Sequence, residues 1–216
     1  MELGEPTGTT PTTQARHAGL PDDAPPDRPA VPHKPRHNWG WLIALVVLLL
    51  AVGGSWGYYT WTNAQAQAAW QTDLGGDNFV GLLKIPALGA DFAVPIRPGT
   101  TADDLRQGVG WYPGTTPVGQ RGNFAVAGYR LGWGQPFLNL ATLQLGDTII
   151  VQTADQTYTY TVITGPITVS RDDTDILAAV PGGPGVAPTR ALITLTTAQD
   201  LLPTADRTVV IGQLTG

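Results

Sequence analysis

One uncharged apolar run stands apart in a chain whose other apolar residues come in short bursts. Trp39 to Tyr59 reads WGWLIALVVLLLAVGGSWGYY, 21 residues without Asp, Glu, Lys or Arg. At 1.5 Å per residue it reaches roughly 31 Å, about one bilayer hydrocarbon thickness. Trp39, Trp41, Trp56, Tyr58, Tyr59 and Trp61 cluster at its two ends, as in an interfacial aromatic belt. The pattern predicts one transmembrane helix over residues 39–59. Residues 1–38 are rich in Pro, Thr, Asp and Ala and nearly free of large apolar residues. They cannot bury enough surface to offset the entropy of ordering, and a disordered tail is expected. TWTNAQAQAAW, Thr60 to Trp70, favours helix and is expected to extend the membrane helix as a stalk within a linker over 60–78. That linker closes on the Gly/Asp turn cluster Asp73–Asn78.

Beyond residue 79 the pattern changes to short β-like bursts between turns. Strands are predicted at Phe79–Ile85, Phe92–Ile96, Asn123–Ala127, Thr148–Thr153, Thr157–Val162, Ile167–Ser170, Ala191–Thr197 and Thr208–Leu214. In TYTYTVITG, Tyr158, Tyr160 and Val162 alternate with Thr157, Thr159 and Thr161, the signature of a half-buried strand. Eight short strands at this spacing predict an all-β domain over 79–216, a closed barrel or a sandwich. Two short helices interrupt it. One covers Thr101–Gln107, with Thr100 or Thr101 as N-cap and Asp103 and Asp104 in its first turn. The other lies near Phe137–Leu143. PGGPGVAPTR, Pro181 to Arg190, reads as a flexible loop before the seventh strand.

Charge narrows the class. The net charge is −5 and only 13% of residues are charged, which argues against a nucleic-acid partner. Lys34 and Arg36 precede the apolar run, and no Lys or Arg follows until Lys84. That asymmetry predicts a single-pass membrane protein with a cytoplasmic N-terminus and an extracellular C-terminal domain. The rival reading is a cleaved signal peptide, for which Ala64-Gln65-Ala66 has the small residues of a cleavage site. The chain has no cysteine, so neither a disulfide framework nor a Cys-ligated zinc is available. Its three histidines, His17, His33 and His37, all precede the apolar run. Nothing in the sequence calls for a cofactor or a metal. The acids Asp172, Asp173 and Asp175 leave a calcium site open, but they lack the Gly and Glu spacing of an EF-hand, and a solvated loop is the default reading.

LLKIPALGADFAVPI, GWYPGTTPVGQRGNFAVAGYR, ALITLTTAQD and ADRTVVIGQL, taken in order, resemble sortases, most of all the class E sortases of high-GC Gram-positive bacteria. LLKIPALGADFAVPI is similar to that family's first two strands. TTADDLRQGVGWYPGTTPVGQRGNFAVAGYR is similar to its helix, its YPGT loop and the strand ending in the catalytic AGHR. GWGQPFLNLATLQLGDTIIV, ALITLTTAQD and ADRTVVIGQL follow, the second resembling the strand that ends in TLTTC. The resemblance spans about Leu82 to Leu214 and implies a closed eight-stranded β-barrel preceded by one transmembrane helix. It implies a domain that cuts a sorting-signal peptide and passes the acyl group to a cell-surface amine. It also places Ala198 at the family's cysteine, Tyr129 at its histidine and Arg207 at its arginine.

That chemistry needs a thiolate, an acid for the leaving amine and a donor for the oxyanion. Ala198 cannot attack a carbonyl. Tyr129, with an ordinary phenol pKa near 10, is a poor general base at neutral pH. The expectation is therefore a pseudo-sortase in which the family's catalytic positions are lost. Its former groove, with Arg207, Tyr129, Ala198, Thr197 and Trp133 as candidate lining residues, would bind a sorting-signal-like peptide or a cell-surface protein. Trp111 and Tyr112 are weighed equally as groove residues and as rim packing. The alternative is an active transpeptidase or hydrolase with a non-cysteine nucleophile, Thr196 or Thr197, served by a base such as Asp200. A purely structural barrel is the third reading.

Overall fold

The computed structural model describes residues 39–72, 78–197 and 205–216; the tail expected over 1–38 lies outside them. Helix α1 runs unbroken from Gly40 to Thr72, so the predicted membrane and stalk segments form one helix. No proline interrupts these 33 residues, which extend about 50 Å. Every side chain from Trp39 to Tyr58 is exposed, on all faces of the helix. A helix apolar all round with no protein covering it suits a bilayer, and α1 is long and apolar enough to cross one.

The strands are β1 (Gly81–Lys84), β2 (Ala93–Pro98), β3 (Val109–Trp111), β4 (Gly122–Gly128), β5 (Thr148–Gln152), β6 (Thr157–Ser170), β7 (Ala191–Thr197) and β8 (Asp206–Leu214). They close into a barrel in the order β1-β2-β3-β4-β7-β8-β6-β5. Two neighbouring pairs are parallel, β2 with β3 and β4 with β7. The closed barrel and the count of eight agree with the sequence reading, but two strands differ from it. Val-Gly-Trp at β3 is too short and too Gly-bearing to register as a strand. It becomes one by pairing with β2 on one side and β4 on the other. Conversely, the two strands expected at Thr157–Val162 and Ile167–Ser170 are one strand, β6. Register shifts between Val162 and Thr164 and between Thr164 and Ile167 take up Gly165 and Pro166, so the proline breaks no ladder bond.

The barrel interior is filled by alternate residues of these strands. Leu83, Ile96, Phe124, Val126, Ile149, Val151, Tyr160, Ile193 and Leu195 are buried in one cluster, joined by Phe137 and Leu140 from the β4–β5 connection. Tyr160 is fully enclosed and keeps its hydroxyl satisfied by accepting the Gly119 N–H at 2.9 Å. Burial pushes its pKa up to about 12. Helix α2 (Ala102–Arg106) forms where expected, with Thr101 as N-cap. Its capping box is complete: Thr101 Oγ1 accepts the Asp104 N–H at 3.3 Å, and Asp104 Oδ2 accepts the Thr101 N–H at 2.9 Å. The helix expected near Phe137–Leu143 is a single 3₁₀ turn, Leu140–Thr142. Further 3₁₀ turns lie at Pro86–Leu88 and Asp175–Leu177.

Candidate functional site

The site is organised by the two parallel strands β4 and β7, which run in step from the pair Gly122–Ala191 to the pair Gly128–Thr197. Apolar side chains and small residues bury both strands, so their ends emerge together at one rim of the barrel. Tyr129 follows Gly128 and Ala198 follows Thr197 in the sequence. Ala198 and the segment through residue 204, Asp200 included, lie outside the described residues. Tyr129 is half-buried and packs with Tyr112 against Leu105 and Ala127. Its carbonyl accepts the Phe137 N–H at 3.0 Å, which fixes the turn leaving β4.

Antiparallel pairing with β7 brings β8 to the same rim. Thr196 stands opposite Val209, and the Thr208 N–H donates to Thr197 Oγ1 at 3.0 Å. Arg207 comes next along β8, paired with Val169 of β6. Its side chain is half-buried, and its Nη1 is buried with no hydrogen-bond partner among the described residues. A buried guanidinium N–H without an acceptor is costly.

Arg207 borders two clefts. The first, about 240 Å³, is lined also by Arg130, Thr168, Thr197, Asp206 and Thr208. The second, about 180 Å³, lies between Tyr112, Thr196 and the wall formed by Ser170, Thr174 and Ile176. Thus Arg207 and Thr197 share a cleft. Tyr129 lines neither and approaches them through Tyr112, whose hydroxyl lies 3.1 Å from Thr196 Oγ1. Trp111 divides from Tyr112: its indole packs 5.9 Å from the Phe124 ring and donates to Thr115 Oγ1, which is barrel packing. Trp133 lines neither cleft. It is 40% exposed, and the Arg106 guanidinium stacks over its ring at 4.6 Å.

Both candidate hydroxyl nucleophiles are engaged. Thr197 Oγ1 accepts from Thr208, and Thr196 Oγ1 lies within bonding distance of the Tyr112 hydroxyl. Among the described residues no group of His, Asp and Glu gathers as a metal site. The loop acids are tied locally: Asp173 Oδ1 accepts the Asp175 N–H at 3.1 Å, and Arg171 lies 3.5 Å from Asp172.

Sequence reasoning missed the cleft wall and the residue that holds it. Asn123 is fully buried; its Nδ2 donates to the Ile176 carbonyl at 3.1 Å, and its Oδ1 accepts from Thr194 Oγ1 at 2.7 Å. One amide thereby ties the wall to β4 and β7. The available signal was an Asn inside an otherwise apolar strand, NFAVAG, since a buried amide must find partners.

The family model for the sortase domain matches residues 83–215. Sortase SrtE2 of Streptomyces coelicolor is 30% identical over 141 residues, covering 62% of this chain and 55% of that protein. The chain spans about half, or less, of the length of the curated relatives it matches. Among solved structures, sortase E from Streptomyces avermitilis superposes with a TM-score of 0.59 at 32% identity, covering 64% of this chain and 89% of that one. Sortase E1 from Streptomyces coelicolor, solved with a tripeptide in the active site, gives a TM-score of 0.57 at 30% identity over 64% of this chain and 89% of that one. The barrel, its strand-end rim and a domain match covering most of the folded region all agree: this chain belongs to the sortase family, without the cysteine on which that family's chemistry rests.

Proposed function

We propose that this protein is a membrane-anchored sortase-fold receptor that performs no transpeptidation and binds a peptide, or a peptide segment of a cell-surface partner, in the groove around Arg207. The observation that carries the reading is the buried Arg207 Nη1, without a hydrogen-bond partner among the described residues and bordering two open clefts at the rim where β4 and β7 end. An arginine placed there can donate to a carbonyl or a terminal carboxylate. With Ala198 at the nucleophile position the complex stops at reversible binding. The tripeptide held in the active site of the related sortase E1 supports a peptide as the class of ligand. α1 serves as an uncleaved anchor, with the N-terminus cytoplasmic and the barrel extracellular, on the strength of Lys34 and Arg36.

The rival reading, a threonine-based enzyme, is disfavoured by the engaged hydroxyls of Thr196 and Thr197. The test pairs mass spectrometry with calorimetry on sorting-signal peptides. No covalent adduct and no cleaved product should form, while Arg207→Ala should weaken binding about tenfold or more, since a charge-assisted hydrogen bond is worth roughly 1.5–3 kcal/mol. A turnover-dependent product would overturn the non-catalytic reading. Unchanged affinity in Arg207→Ala would remove the groove from the function.

A further inference from the structure

Past the apolar run, α1 turns one face to the barrel. Tyr59, Asn63, Gln67 and Trp70 are spaced by three or four residues, one stripe of a helix. All four engage the turn that follows Tyr129. The Tyr59 hydroxyl donates to Gln135 Oε1 at 2.6 Å and lies 3.3 Å from the Gly132 N–H, which donates to it. Asn63 Oδ1 accepts the Gly134 N–H at 2.9 Å, and Gln67 Nε2 donates to the Gly134 carbonyl at 3.0 Å. Trp70 is buried against the same glycine, where any Cβ would overlap its indole.

These bonds set a height. Tyr59 ends the apolar run, and Asn63 lies one turn further, about 6 Å along the axis. Residue 133 is held between the two glycines bonded at those levels. Its backbone therefore sits within a turn of the hydrocarbon border, at the depth of the exposed belt residues Trp56 and Trp61. The turn is also strained: Trp133 and Gln135 hold φ of 53° and 46°, the left-handed region that side chains disfavour. The helix bonds on both sides keep it there, and the strained turn presents a 40%-exposed indole stacked by Arg106, a half-exposed arginine whose Nη1 also pairs with Asp103 at 2.7 Å.

We propose that the Gly132–Gln135 turn is an interfacial anchor that seats the barrel on the bilayer's headgroup layer, with Trp133 at headgroup depth and Arg106 beside the lipid phosphates. An indole gains from that zone because its ring is apolar and its N–H polar, and an arginine can extend its charge to phosphate. The inference rests on α1 spanning the membrane. It makes the barrel a fixture of the membrane surface rather than a body on a free stalk, with Tyr129 and the groove rim only a few residues from the lipid.

The absence of native cysteine makes the test direct. Single nitroxide labels are placed at Leu48→Cys, Trp133→Cys, Leu138→Cys and Val186→Cys in the full chain, reconstituted in phosphatidylcholine–phosphatidylglycerol vesicles. Collision rates with oxygen and with a neutral nickel chelate are then read. Leu48 marks the hydrocarbon. Val186 marks water, because its loop leads to β7 at the end of the barrel where β4 begins. The nickel collision rate at 133 is expected severalfold below that at 186. At 138, with Trp133 present, it is expected to rise towards the value at 186 when Trp133→Ser is added. A rate at 133 equal to that at 186, with Leu48 immersed, overturns the anchor and leaves the membrane helix standing. A rate at 138 indifferent to Trp133→Ser overturns the role of the indole. A water-accessible Leu48 sinks the membrane reading, and this proposal with it.

Discussion

Asn123→Ala should be among the most destabilising changes available outside the apolar core, and it should loosen the groove wall selectively. The side chain is wholly buried, and both ends of its amide are used, on Ile176 and on Thr194. Truncation strands the Thr194 hydroxyl, itself fully enclosed, and the Ile176 carbonyl. Each buried polar group left unpaired costs about 1–3 kcal/mol. The backbone bonds of Asn123 to Thr116 survive, since they do not involve the side chain. A small cavity adds to the loss, and the total comes to about 3–5 kcal/mol. Thr194→Val alone leaves only the Asn123 oxygen unpaired and should cost about 1–2 kcal/mol. Because the two residues share a bond, the double variant should cost about 1–2 kcal/mol less than the sum. Denaturant unfolding of the full chain in detergent gives the four stabilities. Hydrogen exchange should show the amides of Leu177 and Ala178 opening faster in Asn123→Ala, because their 3₁₀ turn is tied to the barrel through Ile176. A loss under 1 kcal/mol, or strict additivity with Thr194→Val, would refute the assignment of this amide as the tie.

The raised pKa of Tyr160 makes stability pH-dependent at the alkaline end. The unfolded phenol ionises near 10 and the folded one near 12, so stability is unaffected below about pH 10 and falls by about 2–3 kcal/mol by pH 12; Tyr160→Phe should flatten that slope in alkaline unfolding curves. Gly134→Ala should detach the stalk from the barrel, since its Cβ would overlap Trp70 at a φ of 80°, and hydrogen exchange at Gly132 and Gly134 should rise while the barrel amides stay protected. Thr101→Ala should cost about 1 kcal/mol by removing the N-cap of α2, and should increase Arg106 mobility over Trp133 in side-chain relaxation measurements.

Much of this architecture was legible in the sequence because its determinants are local. A charge-free run of bilayer length needs no partner to be recognised. The capping box at Thr101 and Asp104 is complete within four residues. Tyr158, Tyr160 and Val162 alternate with threonines in β6 because one face of that strand lies against the core, and the absence of Cys and of any His beyond residue 38 is read directly from the composition. The differences arose where distant segments decide. Val109–Trp111 is a strand only because β2 and β4 flank it, and Gly165–Pro166 breaks nothing because two bulges in the pairing with β8 accommodate it. The same holds at the site. Sequence order put Thr197 and Arg207 near one another by analogy, but their shared cleft depends on antiparallel pairing of β7 with β8. Trp133 was a candidate for the groove beside Arg207; that it stacks with Arg106 of α2 is a long-range packing outcome. Composition and periodicity thus determined a helix long and apolar enough to cross a membrane, the all-β character and the absence of cysteine. Register and closure alone decided which hydroxyls are already satisfied, which arginine N–H has no acceptor among the described residues, and which turn α1 holds. Hydrogen-bond satisfaction is a property of neighbours brought together across the barrel, and no single segment encodes it.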